Sequence, residues 1–130
     1  MTDIDLEEKP ATWFEMEGGG RLQIRIPSID TWKQIRRQTV HKKVEFKKVE
    51  GTAGRFEHEE IDEDLQNELF WDAVIVSFEN FTNKGILIPC TKENKVRMMM
   101  NDKFAKFFRE SFKTLTDYEE KQTGALEKNS

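Results

Sequence analysis

The stretch Thr12–Ser28 reads TWFEMEGGGRLQIRIPS, with three consecutive glycines at its centre. After them Leu22, Ile24 and Ile26 alternate with Arg21, Gln23 and Arg25, the period-two pattern of a half-buried strand. Glycine takes positive φ without steric cost, so Gly18, Gly19 and Gly20 read as the turn returning this strand to a partner in Trp13–Glu17. A phosphate-cradling loop would need a Gly-Lys-Ser/Thr and a helix after it, whereas these glycines run into a strand. The fold class expected from this start is α+β: an N-terminal β-hairpin followed by a mainly helical domain.

Pro27 closes the strand and Ser28 is a natural N-cap, after which Ile29, Trp32 and Ile35 fall at helical spacing through Val40. VEFKKVEG, residues 44–51, alternates only at Val44 and Phe46 and admits a short edge strand, which its lysines would suit. Ile61, Leu65, Leu69 and Asp72/Ala73 progress as a helix whose early carboxylates complement its dipole. Val74–Phe78 is β-branched, yet no turn residue separates it from Leu69, so the helix is expected to continue through it.

GILIPCTKENK, residues 85–95, is a stop followed by a start. Asn83 and Gly85 are turn residues, Ile86–Ile88 is too short for a helix, and Pro89 keeps Ile88 out of the helical region. Thr91 offers a hydroxyl cap for a helix through Met100, with Asn94 standing where a capping box would have Glu. Asn101-Asp102 interrupts, and Phe104, Phe107, Phe108, Ser111, Phe112, Leu115 and Tyr118 then mark the strongest amphipathic helix in the chain. The expected organisation is a flexible leader over residues 1–11, a single α+β domain over 12–118 and a flexible tail over 119–130.

With 130 residues the chain can bury one core, and its ten Phe and three Trp are the main candidates to fill it. The start has no basic segment leading into an apolar run, and no segment nears the length of apolar sequence that spans a bilayer, so no membrane association is expected. A single cysteine allows no internal disulfide, which fits a reducing cytoplasm. Net charge is −4, but its sign is segregated: Lys33–Lys48 is basic and Glu57–Glu68 acidic, a pattern that suggests association.

No constellation argues for chemistry. Asp62, Glu63 and Asp64 with Glu60 and Glu68 lie along an expected helix instead of converging from a loop, as oxygen ligands of a metal must. His41 sits among lysines and His58 among glutamates, neither near a Ser or Cys in sequence. Cys90 has no resolving partner and no placed base, and reads as a small packed residue. The basic segment lacks interleaved aromatics and any known motif, so no nucleic acid is expected to bind. Met98-Met99-Met100 is more suggestive: three consecutive methionines cannot all face one core, and Met-rich surfaces repack around variable apolar partners.

The order of these features resembles the tail assembly chaperones of long-tailed, siphovirus-type phages and prophages. The likeness spans residues 12–118. It rests on WFEMEGGGRLQIRIPS, on Ile35-Arg36-Arg37, on Trp71-Asp72-Ala73-Val74-Ile75 ahead of Phe78-Glu79-Asn80, on GILIPCTKENK and on Phe104–Phe108. Phe78 and Asn80 stand where the family commonly has Trp and Gly. The resemblance implies a non-enzymatic protein of the host bacterial cytoplasm, with no cofactor and no metal. Such a protein coats the tape-measure protein, keeps its apolar helices soluble, and gives way as tail-tube protein polymerises around it, with self-association of the chaperone as a further expectation. Met98, Met99, Phe104, Phe107 and Phe108 are the expected partner-binding residues. The alternative is a structural tail or head-tail connector protein retained in the virion.

Overall fold

The computed structural model describes residues 1–2, 8–49 and 51–129. The expectation of a leader over residues 1–11 therefore falls partly outside the described residues. The chain opens with strands β1 (Thr12–Glu15) and β2 (Arg21–Ile24), followed by helix α1 (Ile29–Thr39). Strands β3 (Val40–Val49) and β4 (Thr52–Ile61) lead into α2 (Glu63–Val74) and β5 (Ile75–Glu79). The short strands β6 (Thr82–Asn83) and β7 (Ile86–Leu87), then helices α3 (Lys92–Met99) and α4 (Asp102–Asn129), complete it. The α+β class and the N-terminal hairpin are as expected. No helix among the described residues is long and apolar enough to cross a membrane.

The three glycines make the β1–β2 turn in two different ways. Gly18 and Gly19 adopt φ of 99° and 93°, and the Gly19 N–H donates to the Met16 carbonyl at 3.0 Å. Gly20 is needed for space: a Cβ there would lie 2.6 Å from Cε1 of Phe81, whose ring covers the turn.

β5 joins the far side of β2, giving the antiparallel order β1-β2-β5 with Leu22 opposite Phe78 and Ile24 opposite Ile75. This corrects the expected helix through Val74–Phe78. The chain passes from α2 to β5 with no intervening turn, because the N–H of Ile75 still closes the helix onto Trp71 while its backbone is already extended. β-Branched Val74, Ile75 and Val76 favour that extension, and β2 supplies ladder partners that no local signal announces. Asn80, just beyond the strand, has φ of 65°, a left-handed conformation that glycine takes freely and asparagine tolerates. Its Nδ2 donates to the Gly19 carbonyl at 3.2 Å.

The sheet packs against α4. Leu22, Ile24, Val74, Ile75, Phe78, Phe104, Phe108 and Leu115 form one buried cluster. Phe78, Phe81 and Phe104 meet edge to face, with centroids 5.4–6.1 Å apart. A second aromatic run leads outward, from Phe108 stacked on Phe112, to Phe70, to Trp32 on the surface of α1.

Both sequence-read caps hold: Ser28 Oγ accepts from Thr31 N, and Thr91 Oγ1 from Asn94 N. Asn94 reverses the capping-box logic by donating from Nδ2 to the Pro89 carbonyl at 2.9 Å, which ties the helix start to the residue that ended the preceding segment.

The largest departure from the sequence reading is the hairpin β3–β4. Its ten-residue strands pair in register from Val40↔Ile61 to Val49↔Thr52, so Ile61 ends a strand and α2 starts only after its cap, Asp62. The basic and acidic segments thus face each other within one chain, with Lys42–Glu57 at 3.4 Å and Lys43–Glu60 at 3.1 Å. At the hairpin's root the Asp62 N–H donates to the Thr39 carbonyl at 2.8 Å. Buried Thr39 is satisfied by Ile35 O and by Gln66 Nε2.

Candidate partner-binding cleft

A cleft of about 600 Å³ lies between the triple-glycine turn, the β5–β6 connection, one side of α3 and the start of α4. Met16, Phe81, Ile88, Met98 and Phe104 supply its apolar lining. Asn80, Asn83, Asn94 and Asn101 add amide groups, and among the described residues Arg97 and Lys103 add cations and Glu17 a carboxylate. Each element is positioned by a feature already described: Gly20 admits the Phe81 ring, Asn80 ties the connection to Gly19, and Asn94 anchors α3 to Pro89.

The opening stretch of the stop-and-start junction forms the lip. Lys84 and Gly85, with φ of 51° and 79°, make the two-residue turn of the β6–β7 hairpin. That turn holds Ile86 and Leu87 out in solvent at 73% and 67% exposure. They border a shallower depression of about 220 Å³ that shares Asn83, Ile88, Asn94 and Arg97 with the cleft, so the two adjoin.

The five residues expected to contact a partner separate. Met98 and Phe104 line the cleft. Phe104, only 3% exposed, also belongs to the core, so it reaches the concavity as its floor. Phe108 is 4% exposed and belongs to the core cluster, on the stripe of α4 that meets the sheet. Met99 and Phe107 are half-buried against the same cluster. Met100 is the exposed member of the methionine run. Ile86 and Leu87 were not signalled, since a two-residue apolar strand has no periodicity to read.

The charged segments resolve into the hairpin. Among the described residues no three of His, Cys, Asp and Glu converge to hold a metal ion. Asp62 is occupied as the α2 cap, accepting from Leu65 N at 3.2 Å. His58 lies 3.6 Å from Glu60, and His41 is exposed. Cys90 is half-buried against the core, next to the α3 cap. Lys43 is held above the ordinary lysine range by its hydrogen bond to Glu60, then by the charge of that carboxylate and of Glu45. The same bond and charge hold Glu60 below the ordinary carboxylate range. Comparison of the chain with family models, with curated proteins and with solved structures finds no match.

Proposed function

We propose that this chain is a tail assembly chaperone of a long-tailed phage or prophage, a non-enzymatic protein that binds the tape-measure protein in the host cytoplasm and keeps it soluble until tail-tube protein replaces it. The observation that carries the reading is the concavity of Met16, Ile88 and Met98 with its exposed lip, Ile86 and Leu87. An amphipathic helix laid there places apolar side chains on adaptable methionines and its flanking carboxylates beside Arg97 and Lys103. Strings that carry the family resemblance converge on the same place. The triple-glycine turn, Ile88 and Asn94 of the 85–95 junction, and Phe104 all border the cleft.

The test is co-expression of the tape-measure protein from the same genome with and without this chain. The reading expects the tape-measure protein to be soluble and co-purified only when the chain is present, and the chain to be missing from purified virions. An insoluble tape-measure protein in both cases, with the chain retained in virions, would favour a structural tail or head-tail connector protein.

A further inference from the structure

The β3–β4 hairpin has two open edges of opposite charge. β3 carries Lys42 and Lys43 with one carboxylate, Glu45, whereas β4 carries Glu57, Glu59 and Glu60 with one arginine, Arg55. Among the described residues neither strand hydrogen-bonds to a third. Each therefore leaves a row of main-chain donors and acceptors along its outer side, and a ten-residue edge of that kind is a template for strand addition.

Charge decides which strand such an edge accepts. β3 against β3 sets lysines opposite lysines and β4 against β4 sets glutamates opposite glutamates, and like charges across a strand pair are destabilising. β4 against the β3 of another copy repeats the pairing that the hairpin already makes at Lys42–Glu57 and Lys43–Glu60. We propose that copies of this chain associate head to tail through their hairpins, the β4 edge of one pairing antiparallel with the β3 edge of the next.

Such a contact is heterologous, so it extends into a ring or a filament instead of closing as a two-fold dimer. The register puts Val44, Phe46 and Ile61 on one face of the hairpin, all of them exposed, and Phe46 at 77%. The inference concerns copies of this chain alone and stands apart from the tape-measure reading.

The experiment compares the full chain with a charge-swapped chain, Lys42→Glu, Lys43→Glu, Glu57→Lys and Glu60→Lys, which reverses the signs of the two cross-strand pairs Lys42–Glu57 and Lys43–Glu60 and gives up the same-strand pairs Lys43–Glu45 and Arg55–Glu57. Light scattering after size exclusion should show each chain self-associating, with dissociation at high salt as exposed ion pairs are screened. Mixed and distinguished by an isotopic mass label in native mass spectrometry, the two chains should form separate assemblies, because both mixed edges would oppose like charges. Preferential co-assembly would show two-fold β3–β3 or β4–β4 contacts and overturn the proposal, as would a wild-type chain that stays monomeric at every concentration. If the swapped chain does not fold, Lys42→Gln with Lys43→Gln leaves β4 untouched. That variant should weaken self-association at least tenfold with an unchanged far-ultraviolet spectrum, and unaltered assembly would again overturn the proposal.

Discussion

Lys95 reaches from α3 to Asp72 on α2, its Nζ donating to the carboxylate Oδ1 at 3.0 Å and to the main-chain carbonyl at 3.2 Å. Lys95 is only 9% exposed. The contact joins the Lys that ends Thr91-Lys92-Glu93-Asn94-Lys95 to the Asp of Trp71-Asp72. It thereby ties α3, and with it the junction at residues 85–95, to α2.

Lys95→Met keeps most of the aliphatic stem and removes both hydrogen bonds. The Asp72 side chain is 38% exposed and regains water, so the loss stays below that of a fully buried ion pair. Urea denaturation should show a destabilisation of about 2 kcal/mol, the scale of hydrogen bonds to a charged group. A loss indistinguishable from zero would mean that the α2–α3 angle is held by apolar packing alone.

Gly20→Ala should destabilise the fold by about 1–3 kcal/mol, the usual range for overpacking, since the new methyl meets the Phe81 ring held between Phe78 and Phe104. Combining it with Phe81→Leu should recover part of that loss in a double-mutant cycle. Strictly additive losses would place the strain in the backbone of the turn and not in the ring contact.

The hairpin should lose order at both extremes of pH. Glu60 has a lowered folded pKa, so its contribution is complete above the unfolded value, about 4.3, and fades as pH falls through the folded value. Lys43 has a raised folded pKa, so its contribution is complete below the unfolded value, about 10.4, and is lost as pH rises through the folded value. Both groups are exposed, and the effect should shrink with added salt. Backbone chemical shifts of residues 41–46 and 55–60, followed through a pH titration, should move toward random-coil values at both ends while the β1-β2-β5 core stays unchanged.

Local chemistry made much of this architecture readable. The glycine turn, the alternation after it, and the Ser28 and Thr91 caps each have a signature within a few residues, and each stands where the sequence placed it. In the β3–β4 hairpin only Val44 and Phe46 gave such a signature, enough for a short edge strand and not for its full length or its partner. Arg55-Phe56-Glu57-His58-Glu59-Glu60 reads as a solvated acidic run, and only its pairing with lysines some 15 residues earlier makes it a strand. Val74–Phe78 likewise depends on β2, about 50 residues away in sequence. Met98 was legible as a candidate through the methionine run, and Phe104 through the amphipathic stripe of α4. The cleft itself was not, since it draws on four separated segments, and neither was the division of the Phe stripe into floor and core.

The central claim is that the concavity edged by Ile86 and Leu87 receives the tape-measure protein. The most direct test is affinity capture of the tagged chain from phage-producing cells, wild type against Ile86→Asp/Leu87→Asp, with quantitative mass spectrometry of the retained proteins. Both substituted side chains are largely exposed, so the variant should fold normally. Recovery of the tape-measure protein with the wild type, and a drop of at least tenfold with the variant, is the predicted result. Equal recovery with both chains would move the contact to another surface, and recovery of neck or head proteins in place of the tape-measure protein would contradict the chaperone reading.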